Sequence, residues 1–279
     1  MTSLESKCKR PMWILAIALT ALAAGCGGGG GDSSPAAPPV VVDPVGAVCT
    51  AGEACVPLAT AGNYVILANS AVTNVPTSAI TGHVGLNSTA TNFSGFTETV
   101  DASGTFATSA QVTGRMYAFD YAAPTPAELT TATATDARAA FLAADNKVLS
   151  VGDFTNVGGG ILTGLTLPPG VYEWNTGVSV ADGGTVTLMG TATDVWVFKI
   201  AEGITMNPGA TVTLAGGALP QNVFWRTAGV AALDTTSNLK GIVLSGSGIT
   251  LANGASVNGR LIATSAVTLI SNTVTRPAP

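Results

Sequence analysis

Charge is scarce in this chain of 279 residues: Lys, Arg, Asp and Glu together make up only 10% of it. Lys and Arg number 11 against 16 for Asp and Glu, a formal net charge of -5. No basic surface can therefore track a phosphate backbone, and nucleic acid is excluded as a partner. Histidine occurs once, as His83 in the short phrase ITGHVG, with no Ser or Cys partner in a recognisable triad setting, so it reads as a turn residue. Carboxylates are few and scattered. Asp101, Asp120, Asp136, Asp145, Asp153, Asp182, Asp194 and Asp234 recur at no fixed interval, and Asp182 and Asp234 read as turn caps. Enzymes that cleave polysaccharides need clustered carboxylates for acid, base or calcium roles, so no enzyme, metal or cofactor is expected. Aromatics reach only 6%, and Ala, Gly, Thr and Val stand where a helical bundle would carry Leu, Glu, Lys and Arg. Disorder is excluded as well, because 47% of the residues are hydrophobic.

The apolar run over residues 12–24 is too short to span a bilayer as a permanent helix. It follows Lys7, Lys9 and Arg10 and ends in small residues, the form of a secretory signal peptide over residues 1–25. The segment Leu22-Ala23-Ala24-Gly25-Cys26 resembles a bacterial lipobox, in which the chain is cleaved before the cysteine and the cysteine is acylated; Ala23 stands where that motif usually has Leu. The resemblance implies a lipidated Cys26 and a protein attached to the outer membrane or cell surface. Ordinary cleavage is the alternative. It would secrete the protein and either remove Cys26 or leave it as an odd thiol. Residues 26–46 are Gly-rich and then Pro-rich, cannot pack a core, and read as a tether. GGGGG within them lacks the Lys and the strand-to-helix setting of a phosphate loop. Beyond the tether, Cys49 and Cys55 flank TAGEA, and in an exported chain they are expected to close a short disulfide loop.

Repetition dominates residues 47–279. The phrases GVYEWNTGVSV, WVFKIAEGITM, VFWRTAGVAAL, GIVLSGSGITL and GRLIATSAVTL overlie without gaps. Their first anchors, Tyr172, Phe198, Trp225, Val243 and Leu261, and their second anchors, Val180, Met206, Leu233, Leu251 and Leu269, advance together by 26, 27, 18 and 18 residues. A third position, Val186, Val212, Leu239 and Val257, keeps the same step. Three short strands per coil of 18 residues, bounded by Gly, Asn or Asp, define a three-faced β-solenoid in which two coils carry inserts. Ile66 and Val84 repeat the pattern near the N-terminus, so one array is interrupted between about Gly95 and Gly160.

Within the interruption, Thr125-Pro126 followed by Glu128 signals a helix start with Thr125 as N-cap, and Ala-rich sequence predicts one long α-helix over about 126–149. The helix needs an apolar partner. The first strand of each coil supplies one, because Trp196-Val197-Phe198, Val223-Phe224-Trp225 and Ile242-Val243-Leu244 are hydrophobic on both parities. Trp196 and Trp225, on strands beside that helix, read as core residues rather than a sugar platform. The second and third faces are left for water or a ligand.

On the second strand the outward residues are Ser179, Thr205, Ala232, Thr250, Thr268 and, by the N-terminal match, Thr73. The phrases Ser70-Ala71-Val72-Thr73, Ser247-Gly248-Ile249-Thr250 and Ser265-Ala266-Val267-Thr268 share one pattern. Stacking at about 4.7–4.9 Å would turn them into a flat, uncharged lattice of methyl and hydroxyl groups able to hold ordered water. Strand preference for Thr accounts for the same residues without any function. The third face carries Thr185, Thr211, Asn238 and Ser256 beside Thr187, Thr213, Lys240 and Asn258; Lys240 makes it the poorer candidate.

The phrases LATAGNYVILANSAVTN, ITGHVGLN, PAELTTATATDARAA, LPPGVYEW, NVFWRTAG and ASVNGRLIATSAVTLISNTV resemble the microbial secreted ice-binding protein family, over residues 58–274. The resemblance implies a right-handed, discontinuous solenoid, mainly β, with one helix alongside and an N-terminal coil that joins the stack beside later coils. It also implies binding of an ice crystal surface through one flat face, often with a Thr-(Ala/Gly)-x-(Thr/Asn) pattern, inhibiting ice growth and recrystallisation. Ser70, Ser247 and Ser265 replace the first Thr of that pattern here, which keeps the hydroxyl and loses the methyl. The expected contact residues are Ser70, Thr73, Thr205, Ser247, Thr250, Ser265 and Thr268, on a monomer whose membrane attachment would run through Cys26. The competing reading is a surface adhesion or structural module without ice affinity.

Overall fold

A computed structural model describes residues 55–150 and 154–277. The expected signal peptide, tether, Cys26 and Cys49 lie outside the described residues; Cys55 is disulfide-bonded. The described chain winds into a right-handed, three-faced parallel solenoid. In stack order, a partial first coil holding Thr166–Leu167 is followed by coil 2 (170–189), coil 3 (196–215), coil 4 (223–240), coil 5 (242–258) and coil 6 (260–275). Chain order then breaks. Coil 7 is residues 64–81 and coil 8 is residues 83–112, so the N-terminal coil lies between the last coil and its own successor.

The anchors read from the sequence coincide with the register of the strands. Tyr172, Phe198, Trp225, Val243, Leu261, Ile66 and Val84 form one inward column on the first face. All are fully buried, and at one end the column is aromatic, with Phe198 and Trp225 stacked at 4.1 Å between centroids. Trp196 and Trp225 face this interior rather than the helix, and their indole N–H groups donate to the Leu167 and Lys240 carbonyls. A buried indole needs such a partner for its N–H. From coil 4 to coil 5 and from coil 5 to coil 6 the chain passes from third face to first without a loop, along Asn238–Ser245 and Ser256–Ala263. Gly241 and Gly259 make that corner possible: Gly241 has φ +121°, and a Cβ on Gly259 would fall 1.7 Å from the Gly241 carbonyl oxygen.

The helical segment starts and ends differently from the expectation. Thr125–Thr130 and Arg138–Asp145 are α-helical, and Thr131–Ala137 between them has the wider π winding. Thr130, Thr131 and Thr133 each turn their hydroxyl back to the carbonyl four residues earlier, which competes with regular α bonding. Pro124, not Thr125, is the N-cap; the Thr125 hydroxyl donates to the Thr105 carbonyl instead. The helix stops at Asp145 rather than near residue 149, because Asn146 leaves helical geometry and the chain returns to the sheet, where Ser150 N–H bonds the Val171 carbonyl. Its apolar side, Leu129, Ala132, Ala140 and Ala144, packs on Val197, Phe224, Ile242 and Leu244, the outward residues of the first face. His83 also departs from its expected role: it opens the strand His83–Leu86, with the turn at Gly82, and its Nδ1 accepts the Arg115 N–H.

A buried polar cluster holds the out-of-order coil. Asn74 occupies an inward position opposite Leu269, where other coils place an apolar anchor. Its amide donates to Gln111 Oε1 at 2.7 Å and its oxygen accepts from Ser78, which in turn accepts the Asn272 N–H. Coils 6, 7 and 8 are thereby stitched together by side chains as well as by strand pairing. Leaving buried donors and acceptors unpaired costs about 1–3 kcal/mol. Asn74→Ala should therefore lower the unfolding free energy by about 1–3 kcal/mol in chemical denaturation; an unchanged midpoint would refute this role for the cluster.

Candidate functional site

The second face is a sheet of seven strands: Val178–Val180, Ile204–Met206, Ala231–Leu233, Ile249–Leu251, Val267–Ile270, Val72–Val75 and Phe93–Ser94. Alternation forms it. Val178, Ile204, Ala231, Ile249, Val267 and Val72 point into the core, so their successors must point out. These successors are in register as one column: Ser179, Thr205, Ala232, Thr250, Thr268, Thr73 and Ser94. Thr205, Thr250 and Ser94 are exposed, and Ser179, Ala232, Thr268 and Thr73 are partly so. The Thr73 and Thr268 hydroxyls, far apart in sequence, meet at 3.2 Å.

A second column runs beside it at the entry to each strand. Ser70 N–H donates to the Ser265 carbonyl, and Ser265 N–H to the Ser247 carbonyl, which places these three serines above one another. Between the serine and threonine columns stand Gly248, Ala266 and Ala71; beyond the threonines lie Ala252, Ile270 and Val75. Coils 5, 6 and 7 therefore present the same sequence of serine, small residue, threonine and apolar residue, with no charge among them.

Coils 3 and 4 do not. Glu202 takes the serine position in coil 3, is exposed, and its Oε2 accepts the Gly177 N–H at 3.1 Å. This corrects the expectation of an uncharged face. The register places Gly229, Val230, Ala232 and Asp234 in the outward positions of coil 4, and Val230 is 43% exposed. Asp234 turns its carboxylate onto the N–H and hydroxyl of Thr235, the turn-capping role expected of it. Of the seven expected contact residues the structure brings Ser70, Thr73, Ser247, Thr250, Ser265 and Thr268 together in one patch, and Thr205 lies beyond coil 4. Sequence reasoning missed Ser94, because the turn Ala90–Asn92 lengthens coil 8 ahead of it. Glu202 was visible in the aligned phrase WVFKIAEGITM, one step before its Gly-Ile-Thr.

The third face is also open to solvent. Thr185, Thr211, Asn238, Ser256 and Thr273 form one column, with Thr187, Thr213, Lys240, Asn258 and Thr275 beside it. Lys240 sits in the middle of that second column. The first face is covered by the helix, and a groove of about 610 Å³ between them is lined by Phe141, Leu142 and Arg226 among others. Arg226 is already engaged there, by an ion pair with Asp145 at 3.0 Å and by stacking over Phe141.

This solenoid with a covering helix and an out-of-order N-terminal coil matches one known class. The chain belongs to the ice-binding-like family, whose pattern covers residues 66–275. It is 41% identical over 201 residues to ice-binding protein K1-A of Typhula ishikariensis, spanning 72% of this chain and 81% of that protein. An ice-binding protein of Colwellia sp is 38% identical over 237 residues, 83% of this chain and 88% of that one. Among solved structures, the ice-binding protein LeIBP from an Arctic yeast, described with antifreeze activity, superposes with a TM-score of 0.76 at 38% identity, covering 82% of this chain and 98% of that chain.

Because Thr250 and Thr268 project away from the core, enlarging them adds no atoms to it. Thr250→Tyr and Thr268→Tyr should each change the unfolding free energy by no more than about 0.5 kcal/mol. A loss of several kcal/mol on thermal melting would show that the column is part of the packing and not a free surface.

Proposed function

We propose that the protein adsorbs to ice through its second face and so inhibits ice growth and recrystallisation, without catalysis. The observation that carries this reading is the in-register column of Thr250, Thr268 and Thr73 flanked by the serine column, on a face that the helix leaves open. Membership of the ice-binding-like family supports the same target. Parallel pairing sets the groups about 4.7–4.9 Å apart along the stack. Each threonine offers a methyl group that favours leaving liquid water and a hydroxyl that can join an ordered water layer. Such neutral groups do not hold water as tightly as charges do. Each contact is weak, and the lattice makes many of them at once with little entropy lost, because the strands are already rigid.

Ice shaping and thermal hysteresis of the purified protein test this directly. Thr250→Tyr and Thr268→Tyr should abolish hysteresis with circular dichroism unchanged, since a ring lifts the face from its target. Thr211→Tyr on the third face should keep it. Hysteresis lost only in the third-face variant would mean that the wrong face was chosen, and none in the unmodified protein would favour adhesion or scaffolding instead.

We further propose that the protein is exported and held at the cell surface by acylation of Cys26. Support comes from the basic residues, the apolar run and the small residues before that cysteine. In cells that carry out lipoprotein processing, Cys26→Ser should move the protein from the membrane fraction to a soluble fraction and remove labelling by a fatty-acid analogue. Persistent labelling of the variant would refute the assignment.

A further inference from the structure

We infer that contact with ice is confined to the half of the second face built by coils 5, 6 and 7, with coil 4 as its border and Glu202 outside it. The inference rests on the ice-adsorption reading and narrows it.

Coil 4 interrupts the lattice in every outward column. Its Gly229, Val230, Ala232 and Asp234 supply no hydroxyl where the next coil offers Ser247 and Thr250. Val230 also stands in a column that is glycine on both sides, at Gly203 and Gly248, so its half-exposed side chain forms a step in an otherwise level surface. Past that step, coil 3 carries a charge. Glu202 is pinned across the entry to the strand by the bond from Gly177 N–H at 3.1 Å, so its carboxylate stays at the surface.

An ionised carboxylate holds its water far more strongly than a hydroxyl does, and stripping or reordering that water costs more than one neutral contact returns. Thr205, three residues along the chain from this group, is therefore cut off from Thr250 by coil 4 and shares its coil with a charge. On the other side of the border coils 5 to 7 carry no charge on this face, and a serine and a threonine recur in each of them. The three uniform coils span about 10 Å between outer strands and about 17 Å along them, from spacings of 4.7–4.9 Å and 3.3 Å. The patch is also composite. Coils 5 and 6 come from the end of the chain and coil 7 from its beginning, and the Thr73–Thr268 hydroxyl contact spans the join.

The experiment compares one substitution on each side of coil 4 in the full protein, with folding checked by circular dichroism and melting. Thr205→Tyr should leave hysteresis within about twofold of the unmodified protein, as a surface change outside the contact would, whereas Thr268→Tyr should abolish it. A combined Glu202→Ser, Val230→Ala and Ala232→Thr variant should extend the lattice and raise hysteresis about twofold, as added contacts of modest size would. Equal losses from Thr205→Tyr and Thr268→Tyr would overturn the border while leaving ice adsorption intact. Absence of hysteresis in the unmodified protein would instead remove the underlying reading and the border with it.

Discussion

Parallel hydrogen bonding between successive coils places each residue above its counterpart in the next coil, and most other features of the structure follow from that constraint. Inside, a column must be chemically compatible along its whole length, which is why Tyr172, Phe198, Trp225, Val243, Leu261 and Ile66 are all large and apolar. Outside, the same rule converts a short local pattern into a surface. Three copies of a four-residue phrase become a two-dimensional array only because the strands cannot slip. A shift of one residue would send the threonines inward and the valines to solvent.

On the helix side charge is used to join elements. Lys199 pairs with Glu173 and Arg226 with Asp145, both on or beside the first face. Arg260 is buried there as well, bonded through Nε to the Gly62 carbonyl, and burial, with Arg276 adding repulsion, brings its guanidinium down to about 10. These groups fasten the helix and the N-terminal turn Ala59–Asn63 to the strands. The opposite consequence is felt on the second face, where coils 5 to 7 are free of ionisable side chains.

How much could be read beforehand depended on whether a feature repeats. Anchor columns and the threonine column were legible because each recurs with the coil; the covering helix was legible from its own start signal and Ala-rich sequence, and the place of the N-terminal coil from the family resemblance alone. Features that occur once without such a signal were not. Asn74 breaks an apolar column, and the cluster joins it and nearby Ser78 to Gln111 and, through Ser78, to Asn272, both distant in the chain, so no local pattern announces it. The π winding at Thr131–Ala137 depends on hydroxyls bonding backward, which composition alone does not reveal. Ser94 was hidden by a turn of three residues that offsets coil 8 from the common period. Glu202 is a different case, since its position was visible and its consequence for the surface was overlooked.

The out-of-order coil also governs when the molecule can fold. Strands near the start of the chain pair with strands near its end, and the hydroxyls of Thr73 and Thr268 meet across a sequence separation of 195 residues. Topologies dominated by such distant pairings fold slowly, because the loop must close before its contacts repay the entropy. A chain still emerging from a ribosome has coils 7 and 8 in hand but not coil 6, and must keep the other strand edges of coil 7 unpaired until residues 260–275 have been made.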